Sequence, residues 1–267
     1  MRKIKELISL KGRVALITGG AGHIGLAMAE ALAELGAKIV IADISQEFCS
    51  SACDKISKIY GVDVFPWAVN LAEEKQIRFI PKKVLDKFNR LDILVNCAAF
   101  CGASNLPGWT VPFEEQSVDT WRKAIDVNLT APFMLTQACA SLLKKSGHGS
   151  VINISSIYGV QGPDMRIYEG TDMGNPAAYA ASKGGLLQLT RWLATNLAPK
   201  VRVNAIIPGG VERSQKEIFK ERYAERVPLK RMAVEEDFKG AVAYLASDLS
   251  SYVTGESIVV DGGWTIW

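Results

Sequence analysis

The sequence predicts an α/β fold: a doubly wound, parallel seven-stranded sheet with helices on both faces. Three observations lead there. Short runs rich in Val and Ile recur along the chain and alternate with stretches of helical periodicity. The runs are apolar almost without interruption, the pattern of strands buried on both faces. The first run leads into a glycine-rich turn and then an apolar helix.

In order, the strands read RVALIT (13–18), KIVIAD (38–43), VDVFPWAV (62–69), LDILVN (91–96), SVINIS (150–155), VRVNAII (201–207) and ESIVVD (256–261). Helical stretches lie between and around them, near 24–35, 46–59, 73–89, 117–145, 177–198, 214–226 and 235–247. Strand–helix units of this length build a sheet covered on both sides. No repeat, low-complexity tract or linker interrupts the series, so 1–267 reads as one domain. Two connections are long for this architecture, 97–116 and 157–176. They leave the carboxyl ends of strands, where such sheets bind ligands.

Composition narrows the functional classes. The chain has 267 residues, a net charge of +3 and 48% hydrophobic residues, enough for one sizeable core. Its Lys and Arg are dispersed, which offers no electrostatic footprint for nucleic acid. No apolar run is long enough to span a membrane. The opening MRKIKELISLKGR lacks the apolar core and cleavage site of a secretory signal, so a cytoplasmic protein is expected. The five Cys include two pairs spaced by four, Cys49/Cys53 and Cys97/Cys101, but His is scarce and no CxxC occurs. They read as reduced packing thiols, and no metal site is expected.

The turn TGGAGHIG (18–25) places Gly20, Gly22 and Gly25 in a G-x-G-x-x-G pattern between a strand and a helix. An acidic residue, Asp43, ends the next strand. In that context the pattern reads as a Rossmann-like dinucleotide site. The glycines permit close backbone approach to a pyrophosphate, and the helix N-terminus offers free N–H groups. The Asp43 carboxylate can accept from both ribose hydroxyls and repels a 2′-phosphate. Ile44 supplies no cation to offset that, so NAD is expected over NADP.

YAASK (179–183) puts Tyr179 and Lys183 on one helix face. An ammonium beside a phenol favours phenolate, and an oxidised nicotinamide adds positive charge. Such a phenol suits a general acid/base that interconverts an alcohol and a carbonyl.

With these motifs in place the chain resembles the short-chain dehydrogenase/reductases of the compact single-domain type, from about residue 11 to the end. The glycine-rich turn, NCAA (96–99), DVN (126–128), NISS (153–156), YAASK, IIPGG (206–210) and VTGESIVVDGG (253–263) follow in the family's order. The resemblance implies roles by position. Tyr179 is the acid/base; Lys183 lowers its pKa and binds ribose. Ser156 bonds the substrate oxygen, with Ser155 as its competitor. Asn128 holds a water that links Lys183 to solvent. Asn96 supports the sheet and the adenosine side. Pro208, Gly209 and Val211 line the nicotinamide, and Gly19, Ile24, Ile44, Leu71 and Ala98 complete the cofactor surface.

The chain departs from the family pattern at four places. His23 stands where Gly is usual and must turn its ring away from the phosphates. Asn70 replaces a common acid and is expected to meet adenine through its side-chain carbonyl. NCAA replaces the usual NNAG. Ser156 and Tyr179 are separated by about ten residues more than is typical.

The extra residues should lie over the substrate pocket. Asp164, Arg166, Tyr168, Glu169, Thr171 and Asp172 suit a polyol, and Arg213 and Lys216 could face a phosphate. This loop is similar to members associated with bacterial surface-sugar and flagellin-glycan pathways. An activated or phosphorylated sugar, or a related polyhydroxylated carbonyl, is therefore expected as substrate, with Arg166, Tyr168 and Arg213 as its contacts. The stretch 228–264 also fits a reductase of 3-oxoacyl thioesters. Two further alternatives are an NAD-binding sensor or scaffold without turnover, and an epimerase or dehydratase that recycles its NAD. The family resemblance also implies a homo-oligomer, a dimer or tetramer.

Overall fold

The computed structural model describes residues 1–101 and 104–267; Gly102 and Ala103, within the expected 97–116 loop, lie outside the described residues. The elements run α1 (Ile4–Ile8), β1 (Val14–Thr18), α2 (His23–Glu34), β2 (Lys38–Asp43), α3 (Gln46–Tyr60), β3 (Val64–Ala68), α4 (Glu74–Phe88) and β4 (Ile93–Asn96). They continue with α5 (Val118–Ile125), α6 (Ala131–Ser146), β5 (Gly149–Ile154), α7 (Ala177–Leu197), β6 (Val201–Pro208), α8 (Glu217–Arg226), α9 (Lys239–Ala246) and β7 (Ser257–Val260). The single helix expected over 117–145 divides at a π-turn, Asp126–Thr130, between α5 and α6.

All seven strands are parallel, in the order β3-β2-β1-β4-β5-β6-β7. The doubly wound seven-stranded sheet of the sequence reading is therefore present. Pro66 falls in β3, which is an edge strand, where a missing N–H is tolerated.

Alternation along β1 shows why the strands are largely apolar. Ala15 and Ile17 face one layer with Met28 and Leu32 of α2, Ile56 of α3 and Val242 of α9. Val14 and Leu16 face the other, with Ile80 of α4, Leu135 of α6 and Leu193 of α7. Each such Ile or Leu, buried completely, contributes about 2 kcal/mol of transfer free energy.

The strand order reverses between β1 and β4, the switch point at which open α/β sheets bind ligands. There the loops leaving β1 and β4 touch. Thr18 Oγ1 accepts from the N–H groups of Cys97 (3.1 Å) and Ala98 (3.3 Å). Among the described residues no helix is long and apolar enough to cross a membrane.

Candidate active site

The glycine-rich turn is a cradle that side chains would fill. Gly19 has φ +64°, and a Cβ there would sit 2.8 Å from Ala98 Cα. A Cβ on Gly25 would lie 2.1 Å from the Gly19 carbonyl oxygen. Only glycine at both positions lets the strand turn sharply into α2, with Gly22 at its N-cap. The unpaired N–H groups of that helix start, the bare backbone and Asp43 at the end of β2 together fit a dinucleotide. Asp43 braces the turn by accepting from Ala21 N (3.2 Å) and Ile44 N (2.7 Å).

His23 does turn outward: its side chain is 62% exposed, and Nδ1 lies 3.4 Å from Glu235. Glu235 also faces Arg213 Nε at 3.7 Å. Through Glu235, Arg213 stands near the start of the α2 helix. Asn70 Oδ1 already accepts the Ala72 N–H (3.0 Å), a local turn bond that competes with the adenine contact expected of it. Leu71, within this turn, is half-buried.

Asn96 ends β4. Its side chain points into the interior, donating to Asn153 Oδ1 (2.8 Å), and Asn153 in turn donates to Thr190 (2.9 Å). This buried chain ties β4 and β5 to α7. Asn128 sits in the π-turn, a local irregularity common at functional sites. Its amide clamps Phe100 at both backbone groups (2.7 and 2.9 Å) and donates to Ser182 (3.1 Å). The side chain is fully engaged, so the expected water would have to meet its backbone.

Ser156, Tyr179 and Lys183 come together from the end of β5 and the first turns of α7. The two serines separate cleanly. Ser155 Oγ donates to the Lys183 carbonyl (2.9 Å), fixing strand to helix. Ser156 lies beside the Tyr179 phenol and works to lower its pKa. Gly159 lets the chain pass close to α7, since a Cβ there would meet Lys183 backbone at 2.8 Å.

Lys183 is 3% exposed and donates from Nζ to Ile154 O (2.7 Å). Nζ lies 5.7 Å from the Tyr179 ring centre. Burial drives the two groups apart in titration. Tyr179 is pushed up to about 12 by desolvation, and Lys183 is pushed down to about 8 by the same cause. Without cofactor, burial of the phenol dominates; the lowering expected from Lys183 together with an oxidised nicotinamide concerns the loaded site.

The strand end at Pro208 leads into two more close approaches. A Cβ at Gly209 would lie 2.8 Å from Asp261 Cα, and one at Gly210 would lie 2.7 Å from the Tyr223 ring. Val211 pairs in an isolated bridge with Ala233. These glycines hold the loop against β7 and α8, along the open end of the sheet.

The inserted segment 157–176 splits the expected substrate contacts. The Tyr168 hydroxyl lies 2.7 Å from that of Tyr158, within electrostatic reach of Tyr179. Arg166 lies elsewhere. It forks onto Asp164 (2.8 and 2.7 Å) and borders an outer groove with Arg222, Arg226 and Trp267, none of them members of the Ser156–Tyr179–Lys183 group. Asp164 caps the short turn that carries Arg166 and so holds it outward. Lys216 pairs with exposed Asp172.

Sequence reasoning missed Tyr158, Asn175 and Cys97. Their signals were adjacency alone: two residues after Ser156, one before the Pro that starts α7, and one after Asn96. Cys97 is raised to about 11 by burial, with Lys183 acting against the rise. Among the described residues no group of three or more His, Cys, Asp and Glu is placed to hold a metal.

Over residues 19–265 the chain matches the family model described as Enoyl-(Acyl carrier protein) reductase. It is 36% identical to a 3-oxoacyl-(acyl-carrier-protein) reductase of Thermotoga maritima, over 96% of this chain and 99% of that one. Among solved structures it resembles an NAD+-bound xylitol dehydrogenase (TM-score 0.84, 28% identity, 95% and 99% of the two chains). It also resembles a gluconate 5-dehydrogenase from Burkholderia cenocepacia in complex with NADP and tartrate (TM-score 0.88, 29% identity, 99% and 100%).

Proposed function

The chain is an oxidoreductase of the short-chain dehydrogenase/reductase family, and from that premise we propose that it interconverts a secondary alcohol and a carbonyl using NAD(H), with Tyr179 as acid/base and a polyhydroxylated small molecule as substrate. The observation that carries the reading is the convergence of Ser156, Tyr179 and Lys183 at the carboxyl end of β5, the same end of the parallel sheet as the glycine-rich turn. The nicotinamide, when bound, supplies the hydride chemistry and a positive charge in its oxidised form.

The chain's own residues do the rest. The glycine-rich turn and the α2 N-terminus receive the pyrophosphate, and Asp43 accepts from the adenosine ribose. Pro208, Gly209 and Val211 border the nicotinamide. Lys183 donates to the second ribose. Tyr179 holds or takes the proton at its phenolic oxygen, and Ser156 donates to the oxygen on which charge develops. Asp43 followed by Ile44 favours NAD, because a 2′-phosphate there would meet a carboxylate with no adjacent cation.

The polyol preference is supported by the polar insertion at 157–176 and by likeness to xylitol and gluconate dehydrogenases. A second reading, reduction of a 3-oxoacyl thioester, is favoured by the Thermotoga relative. The whole unit, 1–267, acts as one dinucleotide-binding domain. Exposed Trp121, Phe133 and Trp192 on α5, α6 and α7 suit a homo-oligomer.

The test is absorbance at the NADH band. Wild type and Tyr179→Phe are offered NAD or NADP with sugars, sugar phosphates, polyols and 3-hydroxyacyl thioesters. NAD-dependent turnover on a polyhydroxylated compound, abolished in the variant, is the expected result. Turnover confined to NADP and acyl thioesters overturns the cofactor and substrate assignments. Turnover that survives Tyr179→Phe removes its role.

A further inference from the structure

The inserted segment gathers three polar side chains beside Ser156 and Tyr179, and they do not satisfy one another. The Tyr158 and Tyr168 hydroxyls are 2.7 Å apart. The Asn175 amide is near enough to Tyr168 to act against the rise in its pKa. Asn175 Oδ1 is shut off from solvent and has no hydrogen-bond partner among the described residues. Turning the amide over does not cure the deficit. Tyr168 could then donate to Oδ1, but the NH2 group would take its place in the unpaired position. A buried polar group without a partner is costly enough to require a reason.

Both phenols are raised by burial, so each remains a neutral O–H at ordinary pH. Two hydroxyls facing each other use one hydrogen in their mutual bond. The second hydrogen is left over. In the orientation observed the cluster therefore carries a spare hydroxyl hydrogen and a spare amide oxygen.

Its placement ties it to the reacting centre. Tyr158 is two residues past Ser156, and its N–H donates to Ser156 Oγ (3.2 Å). Asn175 precedes Pro176, the N-cap of the helix that presents Tyr179. Tyr158 and Tyr168 both interact electrostatically with Tyr179.

We infer that Tyr158, Tyr168 and Asn175 bind a substrate hydroxyl on the carbon next to the reacting one, so that the site selects vicinal diols over simple secondary alcohols. The inference rests on the alcohol–carbonyl reading of Tyr179. A hydroxyl both donates and accepts, and so satisfies both spare positions together. A methylene satisfies neither and leaves the Asn175 amide buried and unpaired. Sites built this way reject the analogue that lacks the hydroxyl far more strongly than an apolar pocket rejects a missing methylene.

The probes are cis- and trans-1,2-cyclohexanediol against cyclohexanol, each oxidised with NAD and with NADP. The enzymes are wild type, Tyr168→Phe, Asn175→Ala and Tyr179→Phe, with melting temperature and NADH binding as checks of folding. Wild type should favour at least one diol by tenfold or more in kcat/KM. Tyr168→Phe and Asn175→Ala should each bring that ratio toward unity, while Tyr179→Phe should lose both kinds of substrate. If Asn175→Ala does not fold, Tyr158→Phe, which removes only a hydroxyl, stands in for it. A wild type indifferent to the second hydroxyl, or variants that slow diol and mono-ol equally, overturns the inference and leaves the Tyr179 reading intact. No turnover on any alcohol removes that reading, and the inference falls with it.

Discussion

Replacing Lys183 with Met should stabilise the cofactor-free protein at neutral pH while destroying its activity. Lys183 is almost wholly buried, and among the described residues no carboxylate lies within ion-pairing distance of Nζ. Its pKa is pushed down to about 8 from an ordinary 10.5. That gap corresponds to about 3 kcal/mol held against the charged form. The unfolded chain binds more protons between those two values, so stability rises with pH across that window. Below about 8 the whole penalty is present. Met keeps most of the stem and removes the ammonium, but it orphans the Ile154 carbonyl, returning about 1 kcal/mol. The net gain at pH 7 is about 2 kcal/mol, or roughly 4–8 °C in melting temperature for a chain of this size. Wild type recovers about 2 kcal/mol relative to the variant between pH 7 and 9.5, which erases the gain. The buried tyrosines titrate in both proteins and cancel in the difference. Urea unfolding of both proteins at several pH values measures this. A variant less stable at pH 7, or one whose gain is flat with pH, refutes the reasoning.

Three other substitutions test separate parts of the site. Asp43→Ala should shift the kcat/KM ratio toward NADP by about tenfold, the scale of one removed charge repulsion near a surface; an unchanged ratio contradicts the role of Asp43. Gly25→Ala forces a Cβ to within 2.1 Å of the Gly19 carbonyl and should cost about 3 kcal/mol or more, read as a lowered melting temperature together with lost dinucleotide binding. Ser155→Ala should lose about 1 kcal/mol of stability with a modest change in kcat, whereas Ser156→Ala should lower kcat by about a hundredfold with little change in melting. Equal effects of the two serine variants would contradict their separation in the structure.

The sheet was legible because burial on both faces leaves a strand few polar positions. Runs such as KIVIAD and VRVNAII then stand out against amphipathic helices, and the strand boundaries agree to within about two residues. The glycine-rich turn was legible for a steric reason: Gly19 and Gly25 sit where a Cβ collides with backbone. What could not be read was direction. Asn96 and Asn128 could each have faced the cleft, and the structure turns both side chains into buried hydrogen-bond chains. Arg166 and Tyr168 are two residues apart in the same inserted loop. Asp164 captures one at the surface, while Tyr158 draws the other toward Tyr179. Such choices depend on contacts between segments far apart in sequence, and no local pattern encodes them.

The opposed shifts of Tyr179 and Lys183 bear on what the apo site is. If the ammonium alone activated the phenol, the pair would approach a phenolate–ammonium ion pair, and each charge would stabilise the other. Burial instead favours the neutral form of both: phenol up to about 12, ammonium down to about 8. Near neutral pH this leaves a protonated phenol beside an ammonium whose one hydrogen bond among the described residues is to the Ile154 carbonyl. The chain on its own is thus poised as a proton donor, the form needed to reduce a carbonyl. To act as a base it requires further positive charge in the cleft, and the oxidised nicotinamide is the group in the proposed reaction that carries one. The direction of catalysis would then be set by the redox state of the cofactor bound, with Tyr179 following it.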